Sequence, residues 1–264
     1  MSIYQTLMLE YHQKIAYVIL NRPDKKNAMN FLMMAELVQV AKLLKKDKTL
    51  RAIVMMGAEG QFCSGLDLSE LKNHRHMTKA LWHLIKPTPS LFQKVCLVWR
   101  TMPVPVIAVI EGVCLGAGLQ LALACDIRIA STQAQLAVLE AKWGLVADMG
   151  LSQTAWGIAP DVLKELMMTA AIIDGQQAKD KGLVTYVHQA PKTLAESILT
   201  QIDNRSPDAV LAAKRLVNSM YKRGMLGLYQ EKWWQLKLIA GHNRTVAQQK
   251  AKDVTISFKA RQFK

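Results

Sequence analysis

Two carboxylates and one amide carry the chemistry open to this sequence. Glu140 and Asp148 stand eight residues apart in VLEAKWGLVADMG, and Gln120 precedes Glu140 by twenty residues. Just upstream, Gly112 to Gly118 form a small-residue turn between an apolar run and an apolar helix. Backbone N–H groups at such a turn point outward without partners, ready for an anion or for an oxygen that becomes anionic during a reaction. Two carboxyl groups in one apolar pocket have their proton affinities pushed apart, the condition for one acid and one base. Together these are parts for moving protons next to a developing negative charge. Asp148 has a second role open to it, as the cap of a helix that begins near Gly150. Gln120 can orient water or a carboxylate by hydrogen bonds, but it cannot exchange a proton at neutral pH.

The elements that must position these groups follow from periodicity. The β-branched run Val104 to Ile110 reads as a buried strand, Leu119 to Cys125 as a helix and Asp126 to Ala130 as a second strand. Upstream, TLMLEY and KIAYVIL read as two strands joined at Gln13, and Asn21 to Asp24 break the pattern. From Ala28 to about Leu44, Met29, Leu32, Met33, Leu37, Ala41 and Leu44 recur at helical spacing, and Lys45 to Asp47 end the helix. Arg51 to Met56 is another buried strand. Strand, helix and strand in that order predict a right-handed crossover and a mainly parallel sheet. FCSGLDL (62–68) then gives a second small-residue turn directly after a strand, where backbone can approach a ligand closely.

Leu71 to Arg100 is long and irregular, a pattern suited to a lid or a pocket wall. It holds His74, His76 and His83, with no third ligand spaced to bind a metal, so they read as exposed histidines. Pro160 to Thr169 and Gly175 to Lys181 read as helices, and Val184 to His188 as a short strand. Beyond Lys192 the pattern is helical, through Pro207 to Tyr221 and Met225 to Leu238. Trp233 and Trp234 there would fill either the chain's own core or a subunit interface. The boundary falls near Asp203–Pro207. It divides an α/β core, 1–203, from a helical region, 204–264.

A chain of 264 residues with 51% hydrophobic and 20% charged residues can bury a sizeable core, which excludes disorder. No apolar run is long enough to span a membrane, and residues 1 to 20 lack the pattern of a signal peptide, so the expectation is cytoplasmic. Cys63, Cys96, Cys114 and Cys125 make no metal spacing and read as reduced, buried thiols. Cys63, beside Ser64 and Gly65, lacks the positioned histidine that a nucleophile needs. The net charge of +14 is scattered, with clusters at Lys25-Lys26, Lys42 to Lys48 and the C-terminus. It suits a polyphosphate-bearing ligand. No RNA-binding aromatic motif or zinc finger accompanies it, which speaks against nucleic acid as a partner.

Four motifs in order carry a resemblance: NRPDKKNAMN (21–30), FCSGLDL (62–68), PVIAVIEGVCLGAGLQLALACDIRIAS (105–131) and FKARQF (258–263). Together they resemble the crotonase superfamily, the enoyl-CoA hydratase/isomerase group, over nearly the whole chain. The resemblance implies an enzyme acting on acyl-CoA thioesters in an α/β fold with a ββα spiral core. It also implies a C-terminal helical region that joins subunits into a homotrimer or hexamer. No separate cofactor is implied, since coenzyme A is part of the substrate. The N–H groups of Leu66 and Ala117 would form the oxyanion hole. Lys25, Lys26 and Ala28, the backbone of Ser64, Asp67 and Leu68, and Lys259, in related enzymes often from a neighbouring subunit, would bind CoA.

Hydratases of this group place glutamates at the positions of Gln120 and Glu140, whereas Glu140 with Asp148 resembles the pair of Δ3,5-Δ2,4-dienoyl-CoA isomerases. That family also carries an acid at the Gln120 position, so this chain matches two of its three. Three readings stand: an isomerase shuttling a proton between Glu140 and Asp148, a hydratase in which Glu140 does the proton work and Gln120 positions water, and an acyl-CoA- or RNA-binding protein that lost the chemistry.

Overall fold

The structure, a computed structural model, describes residues 4–67, 69–70, 89–220, 237, 240–250 and 252–263. Leu68, the three histidines His74, His76 and His83, the Trp233–Trp234 pair and, apart from Lys237, the expected helix Met225 to Leu238 lie outside the described residues. Strand β1 (Leu7–His12) turns at Gln13, with φ 56°, into the antiparallel β2 (Ile15–Leu20). Helix α1 (Phe31–Leu44) then crosses to β3 (Ala52–Gly57), which lies parallel to β2. Helix α2 (Leu91–Arg100) follows, opened by a capping box in which Ser90 and Gln93 each satisfy the other's backbone N–H. Next come β4 (Val106–Ile110), β5 (Val113–Leu115), helix α3 (Ala117–Leu123), β6 (Ile127–Ala130) and β7 (Gln135–Ala137). The rest is α4 (Leu151–Thr154), α5 (Pro160–Thr169), β8 (Ile173–Asp174), α6 (Gly175–Asp180), β9 (Tyr186–Val187), α7 (Pro191–Asp203), α8 (Pro207–Met220) and α9 (His242–Lys250).

Among the described residues, one six-stranded sheet runs β1-β2-β3-β4-β6-β9, antiparallel at its first pair and parallel thereafter, and β5-β7-β8 form a smaller second sheet. Successive side chains of a strand face opposite ways, and the core divides accordingly. Ile53, Met55, Val106, Ala108 and Ile110 join Met33, Leu37, Val40 and Leu44 of α1 and Val95, Cys96 and Trp99 of α2 on one face. Ala52, Val54, Ile107 and Val109 meet Ala195 and Leu199 of α7 on the other. Each large side chain buried in this way contributes about 2 kcal/mol. With both faces covered, the strands need no polar alternation, which is why they read as unbroken apolar runs.

Several boundaries differ from the sequence reading, most by one or two residues. Helix α1 begins at Phe31 rather than Ala28, because Asn30 caps it through Met33 N–H and Met29 pairs with Leu66 in a β-bridge. Leu32 is exposed, and Met34 and Val40 take its place in the core. The glycine turn contains β5, and α3 starts at Ala117 rather than Leu119 because Gly116 already serves as its N-cap.

Buried cations hold α8 and the segment around Arg261 against the sheet and its loops. Lys214 on α8 donates to Asp126 Oδ2 (2.6 Å) and to the carbonyls of Val104 (2.9 Å) and Trp99 (3.5 Å). Arg51 reaches the carbonyls of Ile202, Asp203 and Arg205 at the end of α7. Arg261, buried near the C-terminus, points its guanidinium at the carbonyls of Pro103 and Asp47. Among the described residues, no helix is long and apolar enough to cross a membrane.

Candidate active site

The two small-residue turns meet. Cys63 pairs with Cys114 in a parallel bridge, its N–H donating to Val113 (2.8 Å) and its carbonyl accepting from Leu115 (2.9 Å). On its other edge the same segment pairs with Met29: Met29 N–H bonds Gly65 and Asp67 N–H bonds Met29 (2.7 and 3.0 Å). Because Gly65 and Asp67 supply that ladder, the N–H of Leu66 between them faces the opposite way, to the side where β5 leads into α3. Ala117 is the first residue of α3, so its N–H has no acceptor within the helix. Two glycines make the approach feasible. Gly116 sits at φ 49°, ψ −116°, a conformation open to glycine, and a Cβ on Gly118 would stand 2.6 Å from the Cys63 carbonyl oxygen. Among the described residues, neither the Leu66 N–H nor the Ala117 N–H has a hydrogen-bond acceptor, and the two stand on adjoining segments.

Glu140 opens a short 3-10 turn, Glu140–Trp143, directly after β7. Its Oε1 lies 3.5 Å from where a Gly116 Cβ would be and accepts a 2.6 Å hydrogen bond from Gln120 Nε2. Its Oε2 is buried with no hydrogen-bond partner. Gln120, buried on α3, accepts from Met149 N–H through Oε1 at 2.9 Å. Burial pushes the Glu140 carboxyl above its ordinary range; the Gln120 amide and Glu140's own N–H oppose this, and the charge of Asp148 adds to it. Burial also raises Asp148, with its own backbone N–H opposing. Asp148 has protein on one side and solvent on the other: its surface is open to water, yet enough atoms surround it to disfavour its charge. It does not cap α4, whose N-cap is Gly150 at φ 87° with no side-chain hydrogen bond.

Of the residues expected to hold CoA, Lys25, Lys26, Ala28, Ser64 and Asp67 gather into one platform; Leu68 lies outside the described residues, and Lys259 stands apart. Ser64 N–H and Oγ donate to the carbonyls of Lys26 and Lys25, and Ala28 N–H donates to Lys25. Arg22 ties both strips together, bonding the Ala28 carbonyl (2.6 Å) and Asp67 Oδ2 (2.9 Å). The other oxygen of Asp67 accepts from Ser69 N–H and Oγ, so this carboxylate braces the loop instead of facing a ligand. Its pKa falls despite burial, through the hydrogen bonds of Ser69 and Arg22. The side chains of Lys25 and Lys26 are exposed at the rim. Lys259 is elsewhere. Its backbone is bonded to Asn243, and nearby Arg261 N–H bonds Lys48 beyond the C-terminus of α1, whereas Ala28 precedes the N-terminus of that helix. A helix of 14 residues puts about 21 Å between the two ends.

All four cysteines are buried and unpaired, and burial pushes the Cys63 thiol up to about 11, which leaves no thiolate for nucleophilic attack. Sequence reasoning missed the Met149 N–H and the Arg22–Asp67 pair. A backbone donor leaves no signature in a sequence. Arg22 did stand in NRPDKKNAMN as a charge inside a turn, a signal open to reading.

A family model described as enoyl-CoA hydratase/isomerase matches residues 10–254. The mitochondrial Delta(3,5)-Delta(2,4)-dienoyl-CoA isomerase of Mus musculus is 34% identical over 232 residues, which cover 83% of this chain and 70% of that protein. Among solved structures, enoyl-CoA hydratase from Bacillus anthracis superposes with a TM-score of 0.88 at 27% identity, covering 98% of this chain and 100% of that one. A Thermobifida fusca structure solved in complex with CoA gives a TM-score of 0.80 at 29% identity, covering 89% of this chain and 93% of that one.

Proposed function

This chain belongs to the enoyl-CoA hydratase/isomerase family, and we propose that within it the protein isomerises a 3,5-dienoyl-CoA to the conjugated 2,4-dienoyl-CoA. The observation that carries this reading is the setting of Glu140: one oxygen held by an amide, the other buried and free, with a second carboxylate eight residues on. Glu140 lies beside Gly116 and hence beside the Ala117 N–H, so it serves the carbon next to the thioester. It takes a proton from that carbon. The resulting dienolate oxygen rests between the N–H groups of Leu66 and Ala117, each such donor being worth about 3 kcal/mol of barrier. Asp148 in its protonated form returns a proton to the far end of the diene, and the bonds shift into conjugation with the thioester. Transfer of the abstracted proton from Glu140 back to Asp148 resets the pair.

Hydration asks more of Gln120 than its bonds leave free. One lone pair of its oxygen is engaged by Met149 N–H and one amide hydrogen by Glu140, so half of its hydrogen-bonding capacity, one N–H and one lone pair, remains to hold water. Hydration is therefore the second reading. Purified protein given a 2-enoyl-CoA and a 3,5-dienoyl-CoA side by side separates the two. Growth of conjugated-diene absorbance with the second and little change with the first is the expected result. Loss of enoyl absorbance with the first, and none of the diene signal, would overturn it.

The platform of Lys25, Lys26, Ala28 and Ser64 to Asp67 is proposed to carry CoA, its lysines meeting phosphate. Lys259 would meet a CoA phosphate only on a neighbouring subunit's ligand. Homotrimeric or hexameric assembly is supported by exposed Trp143, Leu145 and Val146, and by Met168 on α5, which packs against the turn that carries Trp143.

A further inference from the structure

Gln120 belongs neither to the donors of the oxyanion hole nor to the proton-carrying pair, yet it is buried between them and both ends of its amide are engaged. The direction of that amide is fixed by chemistry. A backbone N–H can only donate, so the Gln120 atom facing Met149 is the oxygen, and the NH2 must face Glu140. The side chain therefore bridges two backbone segments: the turn that bears Glu140 and the Asp148–Met149 peptide. A glutamate in the same place could make this bridge only in its protonated form. Its carboxylate would accept from Met149 N–H and then confront Glu140 with a second negative charge.

We propose that Gln120 is a positioning residue, a strut that sets the spacing of Glu140 from Asp148 and holds Glu140 as the resting carboxylate with Oε2 turned to substrate. The proposal rests on the isomerase reading for what the pair does, though the strut itself is a property of the resting protein. An ionised carboxylate accepts hydrogen bonds only and accepts them more strongly than the neutral acid does, so the amide N–H favours the ionised state. Other charges around Glu140 are few among the described residues. Asp148 opposes its ionisation, and Lys142 on its own turn is exposed. Asp161, Lys164 and Glu165 on α5 are also exposed, Glu165 being paired with Lys181 at 2.8 Å.

The test titrates Glu140 directly in the full chain by carboxyl carbon NMR with labelled glutamate, the resonance being assigned by its loss in Glu140→Gln. Gln120→Met keeps the length of the side chain and removes both hydrogen bonds. Gln120→Glu keeps the shape and reverses the electrostatics. The expected result is an upward move of the Glu140 titration by about one pH unit in Gln120→Met and by more in Gln120→Glu. The acid limb of the diene-isomerisation pH profile should move by the same amount. An unchanged Glu140 titration in both folded variants overturns the strut, whatever the enzyme's reaction. A moved titration in a protein that never converts the diene keeps the strut and overturns the isomerase reading. Should Gln120→Met fail to fold, Gln120→Leu, which also lacks both hydrogen bonds and adds no charge, is read in its place.

Discussion

Gly118 and Cys63 are in contact so close that a Cβ on the glycine would lie 2.6 Å from the cysteine carbonyl oxygen, 2.7 Å from its Cβ and 3.1 Å from its Sγ. Two of those atoms belong to backbone or its root and cannot swing aside. This contact sets the distance between the first turn of α3 and the segment that ends in Leu66. Gly118→Ala must push the two apart by several tenths of an ångström. The expected cost is about 1–3 kcal/mol of stability. A fall in kcat/KM of about tenfold or more should accompany it, because the two oxyanion donors no longer converge. Thermal melts and steady-state assays read both. Stability and turnover both near wild type would show that the segments are not held in register by this contact.

Removing either carboxylate separates chemistry from stability. Glu140→Gln and Asp148→Asn should each lower turnover by about 10²–10⁴-fold while acyl-CoA binding, read by calorimetry, stays close to wild type. The stability effect runs the other way. Burial raises Asp148 in the folded chain, so ionising it costs stability as pH rises from the unfolded value, about 4, through the folded one. Asp148→Asn should therefore melt higher than wild type at neutral pH, and the two curves should meet below about pH 4. A variant that melts lower at neutral pH would give Asp148 a structural duty that its geometry does not display.

Lys214 predicts a loss of another kind. Its ammonium is buried and its pKa is lowered by that burial, with Asp126 opposing. Lys214→Met leaves Asp126 Oδ2 with the Val106 N–H (2.8 Å) and no cation. Breaking a buried pair in this way commonly costs about 3–5 kcal/mol. Denaturant unfolding reads it. A change under about 0.5 kcal/mol would mean that water reaches Asp126 freely.

Much of this arrangement was legible from the chain because its parts are local. The glycines of FCSGLDL and LGAG and the separations of Gln120, Glu140 and Asp148 are all short-range patterns, and the fold brings the two turns together and those three residues close to one another. Apolar runs marked β3 and β4 because both faces of those strands are covered. What stayed hidden was pairing between distant segments. Met29 has a helical neighbourhood and helical spacing, yet its bond to Gly65 draws it out of α1. Leu32 fits the apolar stripe by arithmetic and still faces solvent, because Met34 and Val40 fill the core more deeply. Lys259 sat in a motif that suggested a ligand, but only the path of the chain puts it at the far end of α1 from the platform.

The bridge between Cys63 and Cys114 has a consequence for how such a site can change over generations. Strand pairing moves in whole residues, and a slip by one would turn the Leu66 N–H away from α3 altogether. The proposed cradle for an oxyanion is thus all-or-none, inherited intact or lost. Glu140, Asp148 and Gln120 stand on other elements, a turn, a loop and a helix face, where single substitutions leave that pairing untouched. On the proposed function, a lineage built on this plan can exchange its acids and amides one at a time and so trade one thioester reaction for another, while the proposed grip on the thioester oxygen stays constant.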